Sequence, residues 1–200
     1  MNLNFNKIKD YTKEDVIWKL ILESIPEDTI LFFDVEVYPL VENEITQEHK
    51  IIAVGVGYQN KIDIMIGDEK EVLRWFNEFI SNKEIYLTVG YGSMHLDIPI
   101  LLLKLRTYRN LLALRRVLNK TPHLDLVYPT GVYLYAIGKT QNVKLVSLKE
   151  ALELLGLGSK NFSEDIYKDQ NKLKEYITND IKCIINLFNT LKENYFNAII

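Results

Sequence analysis

The stretch FFDVEVYP, residues 32–39, places two carboxylates, Asp34 and Glu36, inside an otherwise apolar segment. The Val, Ile, Leu and Phe residues of 30–37, followed by Pro39, predict a buried strand. Because side chains alternate across a strand, both acids share one face, about 7 Å apart at roughly 3.3 Å per residue. Burying two like charges is costly, so three explanations are open: a divalent-metal site, an edge strand with its acids in water, or ion pairs with distant residues.

The composition is that of one globular domain. The 200 residues are 48% hydrophobic and 26% charged, which suits a core that needs no cross-links. Cys183 is the single cysteine, so an internal disulfide and a multi-cysteine zinc site are excluded. The first residues lack a signal-peptide core, and no apolar run reaches the ~18 residues of a membrane span. We therefore expect a cytoplasmic protein whose residues 1–200 form a single domain, with 1–27 as a helical extension packed on it.

The charge is distributed unevenly along the chain. The formal net charge is −3, yet residues 98–149 carry nine Lys and Arg against one acid, Asp125. Four of the five arginines lie between 106 and 116. A basic segment on an acidic protein favours a local anionic partner such as nucleic acid. The alternative is a solvated helix face paired with acids elsewhere in the chain.

Apolar periodicity divides the chain into strands and helices. The predicted strands are 29–37, 51–58, 61–66 and 85–90, with a hairpin turn at Gln59-Asn60 and a candidate short strand at 123–128. The predicted helices are one opened by Thr12-x-x-Asp15 and ended near Pro26, then 68–80, 96–122, 147–156 and 171–194. Residues 129–146 fit either a loop or a hairpin.

Two further acidic positions stand out from these elements. Asp97 follows a buried strand and a glycine-containing loop, in the first turn of a helix, where an acid is also an ordinary partner of the helix dipole. Tyr176 and Asp180 are four residues apart on the last helix, so they lie on one face, beside isoleucines that direct this face inward. Taken alone, a Tyr/Asp pair at this spacing is common and carries little meaning.

Together these motifs resemble the DEDD superfamily of 3′–5′ exonucleases. Asp34-x-Glu36, then Asp97 before Ile98-Pro99, then Tyr176-x-x-x-Asp180 match its three motifs in order. Glu175 stands where the histidine branch needs a histidine, so the chain resembles the tyrosine branch, most closely the proofreading domain of family B DNA polymerases. The resemblance spans about residues 28–195 and implies a stand-alone exonuclease.

The implied fold is α/β and RNase H-like. Its mixed sheet has five or six strands with helices on both faces. The first three strands should be antiparallel, and the fourth should lie parallel beside the first.

The resemblance also implies a two-metal hydrolase that removes nucleotides from the 3′ ends of single-stranded DNA, with RNA as the other substrate. The family pattern assigns Mg²⁺ or Mn²⁺ ions to Asp34, Glu36, Asp97 and Asp180, with Asp34 shared by both ions. Glu36 and Asp180 would hold the ion that activates water, and Asp97 would support the second ion. Tyr176, with Glu36, would orient the attacking water. Two ions roughly 4 Å apart can serve both the attacking and the departing oxygen.

Candidates for contact with the substrate lie beside and after the second motif. The basic stretch 104–120 and the tyrosines at 128, 133 and 135 suit a single strand, which is bound by charge and stacking. The alternative is that these tyrosines belong to the core. One departure concerns the loop, where Gly92-Ser93 follows Tyr91 in place of the asparagine that is usual in polymerase proofreading domains. The candidate contacts are Tyr91, Ser93, Leu96, Arg106 and Arg109. The rival hypotheses are a nuclease directed at RNA, a structure-specific endonuclease, and a catalytically inactive nucleic-acid-binding module on the same fold.

Overall fold

The chain forms a five-stranded mixed sheet in the part that the computed structural model describes, residues 8, 13, 15–41, 44–158 and 164–199. The strands are β1 (Ile30–Tyr38), β2 (Lys50–Tyr58), β3 (Lys61–Ile66), β4 (Leu87–Gly90) and β5 (His123–Asp125). Their order is β3-β2-β1-β4-β5; β1 to β3 are antiparallel, whereas β4 runs parallel to β1 and to β5. This is an α/β sheet of the RNase H-like kind, and the predicted order of the first four strands is confirmed.

The described residues also form seven α-helices. They are α1 (Asp15–Ser24), α2 (Glu69–Ser81), α3 (Asp97–Thr107), α4 (Leu112–Lys120), α5 (Val127–Ala136), α6 (Leu148–Leu155) and α7 (Gln170–Asn194). None of these helices has the length and apolarity that crossing a membrane requires. The predicted helical segment 96–122 is divided into α3 and α4. Thr12, the predicted cap of α1, lies outside the described residues.

The prediction of a loop or hairpin over 129–146 is wrong for residues 129–136, which belong to α5. Tyr, Val and Thr have low helix propensity, and the segment contains Pro129 and Gly131, so its local sequence argues against a helix. Eight of the ten residues of α5 are nevertheless buried. Packing of the helix on all sides therefore overrides the weak local preference.

The chain divides into two compact units. One unit, Pro26–Asp125 with Ser163–Ile181, contains the whole sheet. The other comprises Met1–Ile25, Leu126–Phe162 and Lys182–Ile200. In the second unit the buried ring of Tyr133 lies 5.9 Å from that of Tyr195, whose hydroxyl donates to the Asp15 carboxylate. The organisation as a single domain with an extension over 1–27 stays a prediction.

One face of the sheet carries the hydrophobic core of the first unit. The β1 side chains Leu31, Phe33, Val35 and Val37 point to this face and are all buried. They belong to one cluster with the apolar side chains of α2, α3 and α4, and the rings of Phe33 and Phe76 are 6.0 Å apart. The alternation predicted for β1 therefore leaves Asp34 and Glu36 on the opposite face.

The hairpin of β2 and β3 and an irregularity in β2 preserve this separation of faces. Gln59 and Asn60 both have positive φ, as a two-residue hairpin turn requires, so the predicted turn is confirmed. Glu36 pairs with Ala53 but Val37 pairs with Ile51, which leaves Ile52 as an extra residue in β2. The extra residue returns Ile51 to the core face, while Glu36 stays on the face of Asp34.

The opposite face of the sheet is covered by the first part of α7. Gly55 on β2 pairs directly with Asp34, and a Cβ atom at this glycine would lie 2.3 Å from Cγ2 of Ile177. Ile181 is the next nearest side chain, at 3.1 Å. The helix can approach this closely only because residue 55 has no side chain. The sheet thus has helices on both faces, as predicted.

We expect Gly55→Ala to lower the free energy of unfolding by about 1–3 kcal/mol, because the added methyl group overlaps a branched carbon near the helix backbone. Chemical denaturation measures the change. Ile177→Ala removes that carbon, so the double variant should lose less stability than the two single variants together. Strictly additive losses would mean that Gly55 is not needed for the approach of the helix.

Candidate metal centre

Three strands and the loops that follow them bring acidic residues to one edge of the sheet. Asp34 and Glu36 lie in the second half of β1, and Asp97 begins α3 after the loop that follows β4. Asp125 ends β5. Because β1, β4 and β5 are parallel, their carboxyl ends meet at the same edge, which is where ligands bind in α/β sheets.

Asp34, Glu36 and Asp180 converge on one point. One carboxylate oxygen from each residue lies within 4.8 Å of the others. Glu36 and Asp180 are buried, and Asp34 is half-buried. The strand contributes two of these acids and helix α7 contributes the third, 144 positions later in the chain than Glu36. Helix α7 therefore turns Asp180 toward Asp34 and Glu36.

Asp97 lies near this cluster and is repelled by its charges. Its side chain is buried and accepts a hydrogen bond from the backbone of Val35. Burial raises the pKa of Asp97 well above its usual range, and repulsion from Asp34, Glu36 and Asp125 raises it further. The four carboxylates at 34, 36, 97 and 180 therefore form one electrostatic group.

Tyr176 stands one helical turn before Asp180 and is half-buried beside the same acids. Burial raises the pKa of its hydroxyl, and the charges of Asp180, Glu36 and Asp34 raise it further. The phenol is therefore neutral at physiological pH. It can both donate and accept hydrogen bonds.

The structure adds a second tyrosine that the sequence motifs did not indicate. Tyr167 lies in the short 3₁₀ helix Glu164–Lys168, before α7, and its hydroxyl donates to Oε2 of Glu36 over 2.8 Å. Burial and the charge of Glu36 raise the pKa of Tyr167. The two partners are 131 positions apart, so no local spacing could have revealed the contact.

Asp125 organises the loop that leads to Asp97. Its two carboxylate oxygens accept hydrogen bonds from the backbone N–H groups of Gly92, at 2.8 Å, and Met94, at 2.9 Å. Gly92 has a φ of 69°, a left-handed conformation that glycine adopts without strain. In the sequence, only the candidate short strand that begins with HLD at residues 123–125 pointed to this region, and it did not predict the contact with the loop.

His123 holds the same loop from inside. Its Nε2 lies 2.7 Å from Oγ of Ser93, and its Nδ1 lies 2.9 Å from Oγ1 of Thr88. Ser93 is fully buried, and its contact with substrate stays a prediction. Gly90 leaves room for this pair, because a Cβ there would lie 2.5 Å from Oγ of Ser93.

The remaining substrate candidates fall into two groups. Tyr91 and Leu96 are half-buried in the loop before α3, and Leu96 lines a cleft of about 260 Å³ together with Glu36 and Tyr167. Arg106 and Arg109 are exposed, at and after the end of α3. The structure therefore brings Leu96 to the acidic cluster and leaves the two arginines on the surface.

Two residues of the predicted strand-binding set are buried instead. Lys104 is only 2% exposed and forms an ion pair with Glu69 over 2.9 Å, so it is not part of a basic surface. Tyr133 is 3% exposed and packs against Tyr195. Neither side chain has the exposure that contact with a strand requires.

The donor set fits a hard divalent cation. Carboxylate oxygens are the ligands that Mg²⁺, Mn²⁺ and Ca²⁺ prefer. Ligand distances of about 2.0–2.6 Å put oxygens on opposite sides of such an ion about 4–5 Å apart, which is the spread of the cluster. The raised pKa of Asp97 reports crowded negative charge that a cation would relieve. The site can therefore hold at least one such ion through Asp34, Glu36 and Asp180.

Comparison with solved structures finds proteins of similar fold. The fold is similar to that of the family B DNA polymerase from the hyperthermophilic archaeon Pyrobaculum calidifontis, with a TM-score of 0.64 and 18% sequence identity. The similarity covers 81% of this chain but 24% of the polymerase chain. At this identity the likeness shows the fold. No protein-family model matches the sequence, and no curated protein sequence matches it.

We expect Asp97→Asn to stabilise the protein in the presence of a chelator. The amide oxygen can still accept the hydrogen bond from Val35, while an acid that three neighbouring acids repel is removed. Thermal unfolding in EDTA should show a higher midpoint for the variant, and added Mn²⁺ should raise that midpoint less than in the unmodified protein. Asp63→Asn, at an exposed acid of β3, is the control and should change stability by less than about 0.5 kcal/mol. A lower midpoint in EDTA would contradict the repulsion inferred for Asp97.

The lowered pKa of His123 makes the stability of the protein depend on pH. Burial lowers its pKa to about 4, against 6.5 for an ordinary histidine, although Asp125 opposes the shift. Between these values the unfolded chain binds a proton that the folded protein does not. This residue therefore lowers stability as pH falls from 6.5 to 4, by up to about 1.4 kcal/mol per pH unit.

The slope is tested by urea unfolding at pH 4.5, 5.5 and 6.5. His123→Asn should reduce the loss of stability on acidification, whereas the same substitution at the exposed His95 should leave it unchanged. Equal slopes for the protein and for His123→Asn would show that His123 does not carry the effect.

Proposed function

We propose that this chain is a metal-dependent 3′–5′ exonuclease that hydrolyses phosphodiester bonds at the ends of single-stranded DNA. The observation that carries the proposal is the convergence of Asp34, Glu36 and Asp180 within 4.8 Å, with Asp97 and Tyr176 in the same electrostatic group. These are the five residues of the tyrosine-branch exonuclease motifs, in the expected order. The similar fold of a DNA polymerase supports DNA as the substrate.

In this mechanism the carboxylates would hold two divalent ions, Mg²⁺ or Mn²⁺. Such ions supply charge neutralisation for the phosphate and a more acidic water as the nucleophile. Asp34 would be shared between them, Glu36 and Asp180 would hold the ion on the nucleophile side, and Asp97 would hold the other. Two such ions would balance the four negative charges of these carboxylates. The anionic strand could then approach without being repelled by them.

The remaining residues orient the reactants. Tyr176 would position the attacking water together with Glu36, and its neutral hydroxyl suits this role because it can both donate and accept. Leu96 and Tyr91 would contact the end of the strand from the loop before α3. Arg106 and Arg109, on the exposed surface, would contact phosphates further from the cut, where each charge adds a salt-dependent contribution to binding.

The activity is tested on a single-stranded oligonucleotide labelled at its 5′ end, with Mg²⁺ or Mn²⁺. We expect progressive shortening from the 3′ end, no cleavage of a circular single strand, and no activity in EDTA. Asp34→Ala and Asp180→Asn should each lower the rate by more than the roughly 10–100-fold that loss of an outer-shell contact costs. Asp63→Asn is the matched control, because it removes a carboxylate outside the cluster and should retain the full rate.

Each rival function has its own outcome in this assay. Shortening of an RNA strand but not of the matched DNA would identify an RNA-directed nuclease. Cleavage of the circular strand would identify an endonuclease. Metal-independent binding of DNA without cleavage would identify an inactive binding module. Shortening that Asp34→Ala leaves intact would overturn the catalytic assignments.

A further inference from the structure

Tyr167 contacts the acidic cluster from a segment that the exonuclease motifs do not include. Its hydroxyl donates to Oε2 of Glu36 over 2.8 Å, and Glu36 is itself 8% exposed. The hydrogen bond is therefore largely shielded from water, where a fixed donor restricts a carboxylate more strongly than at the surface.

The ring of Tyr167 is held in place by the same strand. Its centroid lies 6.1 Å from that of Tyr38, at an interplanar angle of 49°. Tyr38 follows Glu36 by two positions on β1, so both point to the same face of the sheet. The hydroxyl and the ring of Tyr167 thus meet neighbouring side chains of one strand face, Glu36 and Tyr38.

Tyr167 also forms a wall shared by two cavities. It lines the cleft of about 260 Å³ that contains Glu36, and a larger cavity of about 730 Å³ that extends along Tyr38, Leu40 and Leu173. Tyr167 therefore borders both the cleft at Glu36 and the larger cavity beside it.

An uncharged donor is the appropriate group for this position. A lysine or arginine would neutralise Glu36 and compete with a cation, whereas a phenol leaves the negative charge intact. Because the phenol donates to Oε2, it restricts rotation of the Glu36 carboxylate. Outer-shell hydrogen bonds of this kind orient metal ligands and raise their affinity.

We propose that Tyr167 is a positioning residue that holds the Glu36 carboxylate in its cation-binding orientation. The proposal rests on the proposed function. It separates the two tyrosines near the cluster: Tyr167 acts on the binding of the cation, and Tyr176 acts on the attacking water.

The test is a calorimetric titration of Mn²⁺ into the protein and into Tyr167→Phe, which removes the hydroxyl and keeps the ring. We expect Mn²⁺ binding to weaken by about 10–100-fold in the variant. Tyr176→Phe should bind Mn²⁺ within about threefold of the unmodified protein. Tyr86→Phe, at an exposed tyrosine before β4, controls for loss of a hydroxyl and should change nothing.

Cleavage kinetics give the second readout. For Tyr167→Phe the Mn²⁺ concentration for half-maximal rate should rise in parallel with the Kd, while KM for the DNA strand stays within about threefold. Tyr176→Phe should instead lower kcat at saturating Mn²⁺. Thermal unfolding in EDTA checks that both variants are folded.

The outcomes separate the two proposals. Mn²⁺ binding by Tyr167→Phe within twofold of the unmodified protein would overturn the role of Tyr167 and leave the nuclease assignment standing. Mn²⁺ binding without cleavage of any strand would overturn the nuclease assignment, while the titration would still decide the role of Tyr167. Failure of the unmodified protein to bind Mn²⁺ would overturn both.

Discussion

The contact between Gly55 and Ile177 is the constraint on which the candidate site depends. Gly55 pairs with Asp34, and the absence of a side chain lets Ile177 approach to 2.3 Å from where a Cβ would stand. The neighbouring residue of the helix is Tyr176, and Asp180 lies one turn further on. The distance between the strand acids and the helix acid is therefore set by apolar packing, not by any attraction between the acids, which repel one another.

The free-energy cost of this repulsion has to be offset by the stability of the rest of the fold. Burial and three neighbouring acids raise the pKa of Asp97, so ionising it costs the folded protein free energy. The opposite face of the sheet is a continuous apolar cluster that extends from β1 to α2, α3 and α4. A structure that keeps like charges together at one edge and apolar side chains elsewhere trades stability for a site.

The sequence predicts the parts of this arrangement that depend on local pattern. The alternation in β1 places Asp34 and Glu36 on one face, and the spacing of Tyr176 and Asp180 places both on one helix face. Tyr167 contacts Glu36 across 131 positions of sequence, and Asp125 contacts the loop at 92–94 across about 30. No periodicity in the sequence predicts these contacts. Likewise α5 forms against its own propensity, because its burial is decided by distant residues. Ser93 follows the same rule, since its hydrogen bond joins it to His123, 30 positions later in the chain.

These long-range contacts divide the site into two kinds of residue. The carboxylates supply charge, and their spacing in the sequence matters because a shift of one position in β1 would turn Asp34 and Glu36 to the other face. Tyr167 donates to Glu36, whereas Asp125 and His123 bond to the loop before Asp97, and each of these hydrogen bonds joins residues that are remote in the chain. Many side chains can present a donor to a fixed acceptor, so the orienting group need not occupy a fixed position in sequence. The role proposed for Tyr167 would therefore place part of the control of cation affinity outside the exonuclease-like motifs.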